Sequence, residues 1–205
     1  MRSVGVLALQ GDVAEHLLML AEVGAEPMAV KWPEQLDEVE GLIIPGGEST
    51  TIGKLLRRFE LLEPLRRRAR SGFPIYGTCA GMILLADEIE GAGVDQPSIG
   101  GMDIAVQRNA FGRQRESFET DLSIPAIGRE PLHAVFIRAP LIERVGKEVE
   151  ALATLPNGRV VAARQRNLLV SSFHPELTGD PRLHRYFLRV VEERQPAGAV
   201  AAPGG

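Results

Sequence analysis

The 205-residue sequence holds a single cysteine, and that scarcity excludes two chemistries at once. One thiol forms no internal disulfide and supplies no multi-cysteine zinc site, which suits a reducing compartment. No stretch approaches the roughly 20 apolar residues needed to cross a bilayer. The apolar run in the opening "MRSVGVLALQGD" is too short for a secretory signal. Basic residues are not in excess either. Lys and Arg number 23 against 27 Asp and Glu, a net charge of -4, so the basic face of a nucleic-acid binder is missing. Neither G-x-x-x-x-G-K-[ST] nor a G-x-G-x-x-G after a strand occurs, and no nucleotide site is assigned. The expectation is a cytoplasmic protein with neither membrane nor nucleic acid as a partner.

What is present is an alternation. A chain of this length with 44% hydrophobic residues suffices for one well-covered core. In its first half, short aliphatic runs alternate with amphipathic segments, the pattern of βα units on a parallel sheet. Strands are expected at Val4 to Leu9, Met28 to Lys31, "GLIIP" from Gly41 and "FPIYG" from Phe73. Asp12 followed by Glu15 signals a helix N-terminus, with Val13, Leu17, Leu18 and Leu20 at helical spacing. Ser49, Thr50 and Thr51 are cap types and predict a second helix through Leu55 and Leu56. Pro64 to Arg70 predicts a third, and "AGMILLADEI" a fourth. Beyond Gly91, short runs between turns ("DIAVQ", "HAVFI", "RVVAA", "LLVSSF") predict a more antiparallel region, closed by a helix over about Pro181 to Glu192. The segment 194–205 is small-residue and proline-rich and is expected to be a flexible tail after one domain at 1–193. The arginines of "LLRRFELLEPLRRRAR" read as solvated helix surface over a leucine stripe, with a partner-facing role left open.

The lone cysteine sits in "GTCAGM", residues 77–82, directly after an expected strand. A free cysteine is most often a small buried hydrophobe. Strand, small-residue turn and helix, however, make a nucleophile elbow, with Gly77 and Gly81 flanking Cys79 at two residues on either side. In an open α/β sheet the ligand crevice lies at such carboxyl ends. A thiol nucleophile needs a base. Of four histidines, His16 and His184 fall on expected helices and read as surface or boundary residues, and His133 as a satisfied structural histidine. His174 in "SSFHPELT" instead follows the apolar run "LLV". Pro175 biases it to an extended conformation, in which Glu176 at i+2 projects to the same side and reaches the ring. The diglycine in "PGGEST", residues 45–50, is either an ordinary βα turn or a source of oxyanion N–H donors, joined by the N–H of Ala80 after the nucleophile.

"PGGEST", "GTCAGM", "RNAFGRQ" (108–114), "FIRAP" (136–140), "FHPELT" and "ALQGD" together resemble the class I, or triad, glutamine amidotransferases. Within these they resemble the PdxT/SNO family, the glutaminase subunits of two-component pyridoxal phosphate synthases. The resemblance runs from about Val4 to Val191. It implies a flavodoxin-like, doubly wound, mostly parallel sheet with helices on both faces, in three layers and one domain. It implies hydrolysis of L-glutamine to glutamate and ammonia by Cys79, His174 and Glu176, with Gly47 and Ala80 as oxyanion donors. Family matching places substrate contacts at Gly47, Glu48, Ser49, Arg108, Ile137 and Arg138. The implied partner is a synthase subunit of the PdxS/SNZ type in a large hetero-oligomer. No metal or cofactor is implied, pyridoxal phosphate being the product. Gln10, at the end of the first strand, is the expected relay between a docking face and the oxyanion turn. Two other readings stay open on the residues alone: a cysteine hydrolase acting on a peptide or γ-glutamyl amide, and a non-catalytic scaffold.

Overall fold

The computed structural model describes residues 1–91, 95–108 and 117–193. The expected tail at 194–205 and most of "RNAFGRQ", residues 109–114, lie outside the described residues.

In chain order the elements are β1 (Ser3–Leu7), α1 (Val13–Glu22), β2 (Glu26–Val30), β3 (Gly41–Ile44), α2 (Ser49–Arg58), α3 (Leu62–Arg70), β4 (Ile75–Thr78), α4 (Ala80–Leu85) and β5 (Ala86–Glu90). There follow β6 (Met102–Gln107), β7 (Ser117–Leu122), β8 (Leu132–Ile137), β9 (Leu141–Val145), β10 (Glu150–Thr154), β11 (Val160–Gln165), β12 (Leu168–Ser171) and α5 (Arg182–Glu193). The main sheet runs β2-β1-β3-β4-β12-β11-β9-β6-β5, with β10 paired to β11. Its first five strands are mutually parallel in the flavodoxin order, so the fold expectation holds. Beyond β12 the pairing turns antiparallel through β11, β9 and β6, where the sequence rhythm changes.

The short strands at the centre are covered on both faces. Every residue of β3, β4 and β12 is buried, and such strands read as continuous apolar runs. One face packs against α2, α3 and α4 through Leu56, Leu65 and Leu84. The other packs against α1 and α5 through Leu20 and Phe187, and against the β7–β8 hairpin through Phe136. Each strand of the parallel half therefore ends, on its carboxyl side, at one rim between two helical layers.

Three local expectations are corrected. The fourth helix stops at Leu85, because Ala86–Glu90 pairs in parallel with β6 and becomes the sheet's edge strand. Open hydrogen-bonding groups on β6 outweigh the helical spacing of the same residues. The cap of α2 is Glu48, whose carboxylate accepts the N–H groups of Thr50 and Thr51, and not one of the three hydroxyl residues after it. Helix α3 begins at Leu62, with Pro64 inside its first turn, where a missing N–H costs no helical bond.

Candidate active site

Cys79 stands at the carboxyl end of β4 with φ 49° and ψ -101°, a conformation a non-glycine residue holds at roughly 1–3 kcal/mol of strain. Its own N–H donates to the Ser171 carbonyl at 2.8 Å, which ties the elbow to β12. The flanking glycines act through close approach. A Cβ on Gly77 would lie 2.5 Å from the backbone of Gly81, and one on Gly81 would collide with the Ile44 carbonyl oxygen. The helix after the nucleophile is thus pressed onto β3 and β4, and the sulfur is carried up into a cavity of about 470 Å³.

His174 follows β12, and its N–H donates to the Val135 carbonyl at 2.9 Å, joining it to β8. Its ring reaches the same cavity. Nδ1 lies 2.7 Å from Glu176 Oε1, as expected, but by a different route. Pro175–Leu177 form a 3-10 turn, so a tight turn and not an extended i, i+2 projection brings the carboxylate under the ring. Proline at the first position of that turn is preorganised for it. Gly46 leaves the space the ring occupies, since a Cβ there would collide with His174 Cε1. Burial alone would lower the His174 pKa, but the neighbouring Cys79 and the hydrogen bond to Glu176 raise it to about 10. Burial raises the Glu176 pKa, while the bond from His174 works to lower it. The ring is therefore set up to hold and deliver a proton beside the sulfur.

Asp12 was not anticipated here. It occupies the N-cap position of α1, yet its side chain caps nothing, and its Oδ2 lies 3.4 Å from His174 Nδ1. The sequence signal was present in "ALQGD", where it reads equally well as a helix cap. Asp12, His174 and Glu176 bring one potential metal-ligand atom each within 4.8 Å of the others. The short Nδ1–Oε1 contact among them is a hydrogen bond of the kind that orients an imidazole.

The turn after β3 completes the rim. Among the described residues neither the Gly47 N–H nor the Ala80 N–H has an acceptor, and both residues line the cavity. Gln10 is built into this turn: its carboxamide oxygen accepts the Glu48 N–H at 2.8 Å and fills the place a Gly47 side chain would need. Glu48, Ser49, Arg108, Ile137 and Arg138 line the same cavity, so all six residues expected at the substrate are gathered in one place. Glu48 is committed to capping α2 and to Arg108, whose Nη2 donates to it at 3.2 Å. The Ser49 hydroxyl is buried and has no partner among the described residues. Arg138 holds φ 45° just past β8, the second strained residue on this wall.

The other histidines depart from expectation in one respect. His16 and His184 are wholly buried, not at the surface or boundary, with His16 Nδ1 2.8 Å from His184 Nε2. Each sits on the inward stripe of its helix, and the two helices meet on the same sheet face. His133 is satisfied, by Asp121 at 2.8 Å and Glu119 at 2.9 Å on the exposed hairpin.

Comparison with known proteins identifies the family and supports the fold. The profile of the SNO glutamine amidotransferase family matches residues 6–193. The chain is similar to a protein of Herpetosiphon aurantiacus described as pyridoxal 5'-phosphate synthase subunit PdxT, at 63% identity over 187 residues, 91% of this chain and 98% of that one. It is similar to the protein of the same description from Leifsonia xyli, at 58% identity over 191 residues, 93% and 96% of the two chains. A crystal structure described as a glutamine amidotransferase superposes with a TM-score of 0.87 at 52% identity, covering 92% of this chain and 98% of that one.

Proposed function

The chain belongs to the SNO glutamine amidotransferase family and is a glutaminase subunit of pyridoxal 5'-phosphate synthase, and from that premise we propose that Cys79, His174 and Glu176 carry its chemistry. The observation that supports this is the convergence of a thiol, an imidazole and a buried carboxylate from three separate stretches of chain at one cavity rim. Residues 1–193 form the working unit in this reading, in keeping with the span of the family match.

In the proposed sequence the Cys79 sulfur attacks the side-chain amide carbon of L-glutamine, since the thiolate is the nucleophilic form of a cysteine. Negative charge then develops on the amide oxygen, and the free N–H groups of Gly47 and Ala80 receive it. Protonated His174 gives its proton to the departing nitrogen, which leaves as ammonia. A thioester remains on Cys79. His174, now neutral, takes a proton from water as that water attacks, and glutamate departs. Glu176 holds the ring through Nδ1 in both half-reactions. Glu48, Ser49 and Ile137 border the amino-acid end of the substrate, and the forked donors of Arg108 and Arg138 suit its α-carboxylate.

The ammonia passes to a synthase subunit of the PdxS/SNZ type in a hetero-oligomer, in the cytoplasm, where a single unpaired cysteine is at home. Gln10 couples docking of that partner to the oxyanion turn through the Glu48 N–H. The deciding experiment measures glutamate formed from glutamine with and without the matching synthase. Stimulation by the partner, and its disappearance in Cys79→Ala, are expected. Full partner-stimulated turnover in Gln10→Ala would remove the relay while leaving the triad intact.

A further inference from the structure

The Glu176 carboxylate has a second oxygen that the proposed chemistry does not use. Oε1 binds His174, whereas Oε2 is buried and makes no hydrogen bond among the described residues. Beside it stands His16 of α1, whose Nε2 lies 3.5 Å away and also 3.2 Å from Thr78 Oγ1. Behind His16 stands His184 of α5, at 2.8 Å from His16 Nδ1, and the Nδ1 of His184 is buried without a partner. Both rings are fully buried. A chain of close contacts thus runs from the cavity through His174 and Glu176 to the packing layer between α1 and α5.

Where the protons sit in this chain follows from its two ends. One proton occupies the contact between the two rings. If His16 donated it from Nδ1, a bare Nε2 lone pair would face the Glu176 carboxylate, and the hydrogen of neutral His184 would sit on Nδ1, a buried donor with nothing to receive it. If His184 donates it from Nε2, His16 carries its hydrogen on Nε2, bonded to Thr78 Oγ1 with the carboxylate oxygen beside it at 3.5 Å, and the unpaired atom of His184 is an acceptor. A buried donor without an acceptor is the rarer and costlier defect, and a lone pair against a carboxylate is repulsive. Both ends select the second arrangement.

We propose that His16, held by His184, is a positioning residue for glutamine hydrolysis: it turns an Nε2–H toward Glu176 Oε2, keeps that carboxylate ionised, and leaves Oε1 aimed at His174. The two rings suit this task because they stay neutral. Burial, with the neighbouring His184 and His174, holds the His16 pKa well below 6.5, and burial lowers that of His184 to about 4. A neutral donor supports the anion without adding a charge that would compete for the proton on His174. The remaining ionisable groups around Glu176 are Asp12 of α1, which works to raise its pKa, Tyr76 of β4, and Cys79 acting through His174. None of these supplies a donor to Oε2.

This assignment rests on the triad reading above, and the test separates the two. Glutaminase rate against pH is measured in the assembled complex for wild type, His16→Leu, His16→Gln and Cys79→Ala. The leucine strips the donor from a carboxylate that burial already makes hard to ionise, so the acid limb of kcat/KM is expected to move up by about one pH unit, with about a tenfold loss on that limb and little change in KM. Glutamine keeps an N–H near the Nε2 position and is expected to restore most of the rate. Continued turnover by Cys79→Ala would sink the triad itself. Loss of turnover there, with a His16→Leu profile that overlays wild type, or with equal losses in the leucine and glutamine variants, would overturn the role of His16 alone. Should the leucine variant fail to fold, 15N spectra of histidine-labelled wild-type chain decide: His16 protonated on Nε2 is expected, and protonation on Nδ1 overturns the proposal.

Discussion

His133 and His174 are each held by two carboxylates, and the two sites use the same chemistry in opposite surroundings. On the β7–β8 hairpin, His133 lies between Asp121 and Glu119 at 2.8 and 2.9 Å, half exposed, with its pKa raised chiefly by the bond to Asp121. At the cavity rim, His174 lies 2.7 Å from Glu176 and 3.4 Å from Asp12, nearly buried, and burial works against its charge. The neighbouring Cys79 and the bond to Glu176 reverse that tendency. In open solvent a charged imidazole between carboxylates is screened and contributes little. Walled in by the sheet, the same imidazole keeps or gives up its proton according to a sulfur atom beside it. Carboxylates alone therefore do not set the two histidines apart; exclusion of water and the neighbouring thiol do.

The comparison is broken most sharply by replacing each ring. His174→Asn is expected to lower glutamine turnover in the complex by about a thousandfold or more, since members of a catalytic group are lost as a unit. A loss below tenfold would place the proton carrier elsewhere. Gly46→Ala tests whether the rim ring is held as tightly as its surroundings suggest. The new methyl would collide with Cε1 and displace the ring, and kcat is expected to fall about a hundredfold, as small misplacements of reacting groups do. Wild-type kcat in that variant would show slack in the ring that only the exposed histidine should have.

Stability against pH sharpens the same contrast from the other side. The His174 pKa is raised in the folded chain, so its contribution is fully present below 6.5 and is lost as pH rises toward about 10. His184 is lowered, so its contribution is present above 6.5 and is lost as pH falls toward about 4. Denaturation midpoints are expected to peak between these windows and to fall on both sides, with Cys79→Ala flattening the alkaline side alone. A wild-type midpoint unchanged from neutral pH to 10 would contradict the assignment of His174. The smallest effect belongs to His133→Asn, expected to leave turnover unchanged and the melting temperature within about a degree of wild type.

Much of this was legible in the sequence because it is local. Apolar runs of four or five residues bounded by turn signals marked β1, β3, β4 and β12, and their carboxyl ends marked the rim. Cys79 between two small-residue positions and His174 before a proline were readable as residues leaving strands. The errors were of another kind. Asp12 has the chemistry of a helix cap and faces His174 instead, while the cap of α2 fell to Glu48 and not to the hydroxyl residues after it, because the groups that claim these carboxylates differ in distance and not in sequence pattern. Residues 86–90 satisfy a helical spacing and still join a strand, because β6 offered bonds that no local pattern encodes. His16 and His184, 168 positions apart, gave no sign of each other.

From the sequence alone came the alternation of strands and helices, the elbow around the only thiol, and the identity of the residues that meet there, since dihedral preference and apolar spacing are properties of neighbours along the chain. Which charges face one another was settled only when the sheet closed. Packing α1 against α5 buried two imidazoles behind Glu176, and the separate β7–β8 hairpin brought β8 over His174. Burial and electrostatic pairing act through space between distant segments, and the protonation of the site rests on them.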